Sequence, residues 1–279
     1  MRLTFPLCAA LALLVLAPPA AAANNPVVAV IIDDLGNNRV LDERAIALPG
    51  PVACAFLPHT PYAANLARQA HEAGKEVLLH LPLEAVHHEK LGPGGLTLPM
   101  TRREFVSTLR ADLAAIPAPD GVNNHMGSLI TQHPGDMGWL MDVLSQSPSL
   151  FYVDSRTTAR TVAYEIAREH GVPATWRDVF LDDVQKPEAV ARQLQRLIAI
   201  AKRRGTAIAI GHPYPVTLRV LKEQLPRLEA AGVRLVPVRE IIARQSKHAP
   251  PAKIAAGLAS HPAQQQDNAA NAGGARANP

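Results

Sequence analysis

The sequence predicts an α/β fold, a single (β/α) barrel of irregular, seven- or eight-stranded form. Three observations lead there. From residue 27 onward, short apolar runs alternate with helix-like patterns, the rhythm of βα units joined by right-handed crossovers. The run Val28-Ala29-Val30-Ile31-Ile32 has no polar break and fits a strand buried on both faces, as a parallel sheet requires. About 220 residues then separate two ends of unusual composition, with no internal linker or repeat, which is room for one barrel-sized core.

In chain order, strands are expected at residues 27–32, 52–57, 76–80, 121–124, 150–154, near Ala174, 207–210 and 234–236. Helix signals fall between them. Thr60-Pro61 opens a helix over 62–73 and Gly74 stops it, because proline presets the first helical φ and glycine tolerates the left-handed exit. Thr101 with Glu104 three residues on is a capping box heading 105–115, and Pro187 opens a long helix that Gly205 closes after Arg204. The stretch 91–99, LGPGGLTLP, has three Gly, two Pro and no period, so a rim-shaping loop is expected.

The ends carry their own messages. Residues 1–23 combine Arg2, an apolar stretch over about 7–17, Pro18-Pro19 and an alanine run with an A-x-A site, the pattern of a secretory signal too short to span a bilayer. Export across the inner membrane to the periplasm follows as the expectation, with no membrane span once the signal is gone. Cys8 leaves with it, and Cys54 alone excludes an intrachain disulfide. Residues 246–279 are rich in Ala, Gln, Asn, Pro and Gly; so little apolar surface cannot offset ordering entropy, and a disordered tail is expected beyond the 24–245 domain. The net charge is +4, and +3 without Arg2. Scattered basic residues and only four Tyr, five Phe and two Trp argue against nucleic-acid binding.

The first apolar run stops at two adjacent carboxylates, Asp33 and Asp34. Ligands in parallel α/β folds sit at the C-terminal ends of strands, and two like charges buried side by side cost several kcal/mol unless a cation or a shared proton compensates. Other strands end comparably: His80 to Glu84 after the third, Asn123-Asn124-His125 at the fourth, Asp154-Ser155-Arg156 at the fifth and Gly211-His212-Pro213 at the seventh. Two imidazoles and a carboxylate are a usual ligand set for a catalytic divalent ion, zinc above all, so Asp34, His80 and His125 are the metal candidates. Asp33 is the candidate base and His212 the candidate acid on the opposite wall. Glu84, Asn124, Asp154 and Arg156 are candidates to bind or orient substrate; Arg156 either orients Asp33, holds a substrate oxygen or pairs with Asp154. A carboxylate pair of Asp33 and Glu84 would suit a glycosidase instead. His87-His88 read as solvated, His59, His71, His133 and His170 as capping or solvated side chains, and Trp139 and Trp176 as packing. Asp178 and Asp182 fall near the barrel mouth.

The ordered segments IIDDLG, LLHLPLE, GVNNHMGSLIT, FYVDSRTT, RDVFLD and AIGHPYPVT resemble the divergent polysaccharide deacetylase family, relatives of the NodB-type carbohydrate esterases, over about residues 27–244. The resemblance implies a deacetylase-like barrel, a polysaccharide substrate and a divalent metal, with Asp33 as base, Asp34 as ligand and His212 as acid. One position departs. NodB-type enzymes carry two ligands as His-x-x-x-His after the third strand, and here Glu84 stands where the second His belongs. Either Glu84 ligates or His125 supplies the imidazole from the next strand, the preferred alternative. The function implied is an exported hydrolase removing acyl groups, chiefly N-acetyl, from an envelope polysaccharide; the alternative is a glycan- or protein-binding envelope protein that keeps the fold without the reaction.

Overall fold

A computed structural model describes residues 25–248, so the expected signal segment and the tail from residue 249 on lie outside the described residues. Among the described residues nine strands form one sheet: β1 Val27–Leu35, β2 Ala53–Phe56, β3 Val77–Leu83, β4 Gly121–Met126, β5 Phe151–Asp154, β6 Ala174–Trp176, β7 Val179–Phe180, β8 Thr206–Gly211 and β9 Arg234–Leu235. Helices α1 Arg39–Ile46, α2 Ala63–Glu72, α3 Arg102–Ala115, α4 Pro134–Leu144, α5 Ala163–Glu169, α6 Pro187–Arg204, α7 Pro215–Gln224 and α8 Val238–His248 fill the intervals. Helix α8 takes in Ser246, Lys247 and His248, which composition alone had assigned to the tail.

The strand pairs are parallel, in the order β6-β5-β4-β3-β2-β1-β8-β7, with β9 beside the start of β1. Strands β6 and β7 stand at opposite ends of that order, yet only Arg177 and Asp178 join them. Three Cα–Cα steps span at most about 11 Å, so the sheet has to curl until its edges face each other across a seam. The result is the irregular barrel that the βα rhythm predicts. Strand β7, two residues long, is too short to register as an apolar run.

Side chains divide by the two-residue period of a strand. Val28, Val30 and Ile32 face outward into a core shared with the surrounding helices, while Val27, Ala29 and Ile31 face inward with Leu78, Phe151, Val153, Ile208 and Ile210. The inward cluster is closed by Val238, Ile241 and Ile242 of α8. That helix starts on groups that precede β3 and β5: Glu76 accepts from the Val238 and Arg239 N–H groups, and Arg239 reaches the Ser149 carbonyl. It therefore stoppers the end where strands begin and leaves the other end open.

Local signals operate as expected at several helix ends. The Thr101–Glu104 capping box forms in both directions, contributing about 1 kcal/mol to α3, and Gly205 closes α6 at φ +85°. Strand β3 runs past the expected stop at His80 and includes Pro82. Its pairing with β2 ends at Leu79, so beyond that point β3 is an edge on one side, where a missing N–H is tolerated. The 91–99 loop folds back onto this extension through Leu96 N–H to the Pro82 carbonyl and Glu84 N–H to the Leu96 carbonyl.

Candidate metal centre

The open end gathers the inward parity of four strands. Asp33 continues the inward set of β1, His80 follows Leu78 on β3, Asn123 and His125 lie two apart on β4, and His212 follows Ile208 and Ile210 just past β8. Asp34 would face outward by the same rule. It does not, because β1 carries an extra residue between its pairings Ile32 with Cys54 and Leu35 with Phe56, and Asp34 sits in that bulge at φ +60°. A bulge re-aims a side chain at the cost of a strained backbone, and here both adjacent carboxylates reach the same pocket.

Asp34 Oδ1 lies 2.9 Å from His125 Nδ1 and 3.1 Å from His80 Nε2, and the two ring nitrogens are 3.2 Å apart. Yet the buried Asp34 Oδ1 has no hydrogen-bond partner of acceptable geometry. Donor atoms this close to an oxygen that none of them bonds properly are arranged around a common point. A tetrahedral ion bonded at about 2.0–2.2 Å keeps its ligands about 3.3–3.5 Å apart, so the triangle needs to open by only a few tenths of an ångström. The residues fit a divalent metal. His80 Nδ1 lies 2.9 Å from Asn123 Oδ1, an acceptor, which puts the ring proton on Nδ1 and leaves the Nε2 lone pair for the shared point. The same Asn123 donates from Nδ2 to Asp33 Oδ1 at 2.8 Å. One amide thus orients a ligand and the neighbouring carboxylate together.

Electrostatics separate the two aspartates. Burial raises the Asp33 carboxyl above its usual range, and the opposing pull of His80, His212 and Asn123 does not undo it. Burial acts on Asp34 too, but His125 and His80 reverse it and hold that carboxyl well below the usual range. Burial alone would lower the His212 pKa; instead the hydrogen bond from its Nδ1 to Asp182 Oδ1, 2.9 Å, and the charges of Asp33, Asp182 and Asp34 push it up to about 9. Asp182 also accepts from the His212 backbone N–H and the Thr217 hydroxyl, so the ring is fixed from behind and its Nε2 faces Asp34 Oδ2 at 3.9 Å.

Of the residues the sequence singles out, Asp33, Asp34, His80, His125 and His212 converge, and four others do not. Glu84 is engaged elsewhere: its carboxylate accepts from Leu98 N–H at 2.8 Å and pairs with His88 at 2.7 Å, tying the 91–99 loop down. It joins neither the ligand triangle nor a carboxylate pair with Asp33. Asn124 and Asp154 have outward parity. Asn124 holds Tyr152, Ser155 and Met126, and Asp154 accepts from Arg156 N–H and the Thr161 hydroxyl. Both orient strand ends and are sealed from the pocket. Among the described residues Arg156 forms no ion pair with Asp33 or Asp154 and lines a separate cleft. Asn123 is the residue the sequence reading passes over. Counting by twos back from His125 selects it and rejects Asn124. Asp182 lies in RDVFLD, and only the pairing of β7 with β8 brings it to His212.

A parallel barrel with three metal-competent side chains at its open mouth belongs to a recognisable class. Residues 30–242 match the family described as divergent polysaccharide deacetylase, and the chain belongs to that family. An uncharacterized protein of Haemophilus influenzae is 38% identical over 198 residues, 71% of this chain and 70% of that one. The uncharacterized protein YibQ of Escherichia coli is 36% identical over 198 residues, 71% of this chain but only 62%, less than two thirds, of its own length. Among solved structures, the uncharacterized protein ATU2773 of Agrobacterium tumefaciens aligns with a TM-score of 0.75 at 23% identity, covering 80% of this chain and 92% of that one. BA3943 of Bacillus anthracis, described as a CE4 family pseudoenzyme, aligns with a TM-score of 0.50 at 15% identity over 78% of this chain and 66% of that one. Both structural likenesses concern the fold. No helix among the described residues is long and apolar enough to cross a membrane.

Proposed function

We propose that this chain is an exported, metal-dependent hydrolase that removes acyl groups, N-acetyl in the first instance, from an envelope polysaccharide. The observation that carries the reading is the triangle of Asp34 Oδ1, His80 Nε2 and His125 Nδ1 with Asp33 and His212 beside it. Those three residues would hold a divalent ion, zinc in this reading, which when bound polarises an acyl carbonyl and brings water towards a pKa of about 7. Asp33 takes the proton from the attacking water. Its Oδ1 is anchored by Asn123 while Oδ2 faces the pocket, 3.7 Å from His80 Nε2, and burial moves its pKa in the direction that makes a carboxylate a better base. His212, held by Asp182 through Nδ1, presents Nε2–H to the departing amine and carries its proton at neutral pH.

Metal analysis and an acetate-release assay on acetylated amino-sugar oligomers test this directly. Wild type is expected to hold about one divalent ion and to release acetate, and His125→Ala to lose both. Asp33→Asn is expected to keep the metal and lose roughly 10²–10⁴-fold in rate. A native protein that is metal-free and stays inert after zinc is added overturns the proposal. The second reading, a binding protein without turnover, draws support from BA3943, a pseudoenzyme on this fold. Under it, glycan binding survives Asp33→Asn unchanged and no metal elicits acetate.

A further inference from the structure

The seam between β6 and β7 carries a second feature. Beside it, between the segment after β5 and the outer face of α6, lies a cleft of about 470 Å³ lined by five arginines, 156, 177, 196, 203 and 204, with Trp176 and a single acid, Asp178. Helix α6 buries Leu194, Leu197, Ile198 and Ala201, and the four- and seven-residue steps from Arg196 bring Ile200, itself buried, and Arg203 to the cleft wall. Arg204 is neutralised by Asp178 at 2.7 Å and lies over the Trp176 ring. Arg177 spends its donors on the Ser155 and Arg156 carbonyls, and burial, followed by the charge of Arg156, outweighs Asp183 and lowers its pKa to about 10. Arg156, Arg196 and Arg203 form no ion pair among the described residues. Three exposed guanidinium groups without an ion-pair partner around one concave surface favour a ligand carrying negative charge.

A chain of contacting side chains links the cleft to the candidate metal centre. Trp176 pairs with Asp154 at the upper end of the sheet, and the Arg177 guanidinium lies 3.6 Å from the centre of the Phe180 ring, which in turn stacks on His212 at 6.2 Å and 22°. Trp176 also lines a smaller neighbouring cavity together with Arg156, so an aromatic wall stands between two pockets. Guanidinium groups beside a half-buried aromatic ring match a sugar chain that bears acidic groups. We infer that the seam cleft is an anion-binding subsite for an acidic glycan, a strand bearing carboxylate or phosphate groups, held here while its neighbouring residue reaches the metal centre. This rests on the reading of that centre as one that works on a glycan. A nucleic acid fits less well, since one indole offers a single stacking platform.

Calorimetric titration of the full chain tests it, with a galacturonic acid hexamer, mannose 6-phosphate, a neutral N-acetylglucosamine hexamer, inorganic phosphate and a single-stranded oligonucleotide as probes. At least one acidic sugar is expected to bind more tightly than the neutral hexamer, in a salt-dependent manner; the tighter of the two names the acidic group. The triple variant Arg156→Gln/Arg196→Gln/Arg203→Gln is expected to weaken it by on the order of tenfold per contacting arginine. These arginines are exposed, and an unchanged melting curve confirms that the variant folds. Equal binding of neutral and acidic sugars, equal binding by the variant, or phosphate or oligonucleotide binding as tight as the acidic sugars each overturns the inference. His125→Ala separates the two readings: it should abolish metal binding and leave acidic-glycan binding intact. Acetate release without acidic-glycan binding sinks only the subsite, and the converse sinks only the hydrolase.

Discussion

The two ends of the barrel use the same residue types in opposite ways. At the closed end, Glu76 accepts from two backbone N–H groups at the start of α8, at 2.6 and 3.1 Å. Asp120 accepts from Val77 N–H and the Arg239 guanidinium, and buried Lys75 donates to the Leu48 and Gly50 carbonyls. Each charge there stitches one segment to another. At the open end Asp34 Oδ1 lacks a proper partner, two imidazoles crowd it, and three residues at strand exits, Asp34, Met126 and Arg156, sit at positive φ. Backbone strain and an unsatisfied carboxylate oxygen coinciding at Asp34 mark where stability has been given up for chemistry. Saturated charges at the other end mark where the fold is held.

The sharpest way to break this contrast is to delete one carboxylate at each end. Asp34→Gly removes a ligand and also relieves a left-handed non-glycine residue. It should abolish metal binding and acetate release while the metal-free protein melts no lower than wild type. Glu76→Ala leaves the α8 N-terminus uncapped and should cost about 1–3 kcal/mol of stability, with metal content unchanged. Calorimetric melting and metal analysis on the two variants decide it. A large loss of apo stability in Asp34→Gly, or of metal in Glu76→Ala, would erase the distinction.

That contrast is only partly legible in the sequence. The double aspartate after an unbroken apolar run, and histidines at three other strand exits, point to the open end without coordinates. What the sequence leaves unread depends on geometry between elements. The bulge that turns Asp34 inward appears only in the offset register of β1 on β2. Asn124 and Asp154 look as eligible as Asn123 until the inward face is known, and that face is defined by which apolar partners each strand meets. Likewise nothing in the pattern of α8 says that it enters the barrel; Val238, Ile241 and Ile242 make an amphipathic stripe that suits an outer helix equally well.

A smaller effect tests whether support behind the open end matters as much as the groups that face it. Asp182 lies behind His212 and touches no shared point, so Asp182→Asn should lower kcat by on the order of 10²-fold while KM and metal content stay close to wild type. Steady-state kinetics with metal analysis reads all three. A rise in KM with kcat intact would mean that Asp182 shapes the pocket and does not support the acid. Asn123→Ala is expected to act on the other side, weakening metal affinity by roughly 10–100-fold, because His80 loses the acceptor that fixes its tautomer. Competition with a chelator of known affinity measures it, and an unchanged affinity would remove Asn123 from the support of the site.

The mildest prediction asks whether height on the barrel, or convergence on one point, is what sets the open end apart. His59 follows β2 at the upper rim, and its Nε2 lies 2.8 Å from Oδ1 of Asp112 on α3, away from the metal centre. Burial, only partly offset by His59, raises the Asp112 carboxyl from 3.8 to about 6. The sign follows from proton counting. Below pH 3.8 the group is protonated in both states; between there and about 6 the folded protein keeps a proton that the unfolded chain has released, so raising the pH favours unfolding. Asp112→Asn cannot titrate. Its melting temperature should therefore gain on wild type as the pH rises from about 4 to about 6 and hold a constant difference above that. Activity should not follow this titration, because the pair faces no ligand atom. If the difference between the two melting curves is flat across that window, Asp112 titrates as it would in water and the rim pair is looser than its contacts indicate. If instead the rate tracks the same transition, position at the open end is enough to couple a residue to the chemistry, and convergence on Asp34 is not the deciding feature.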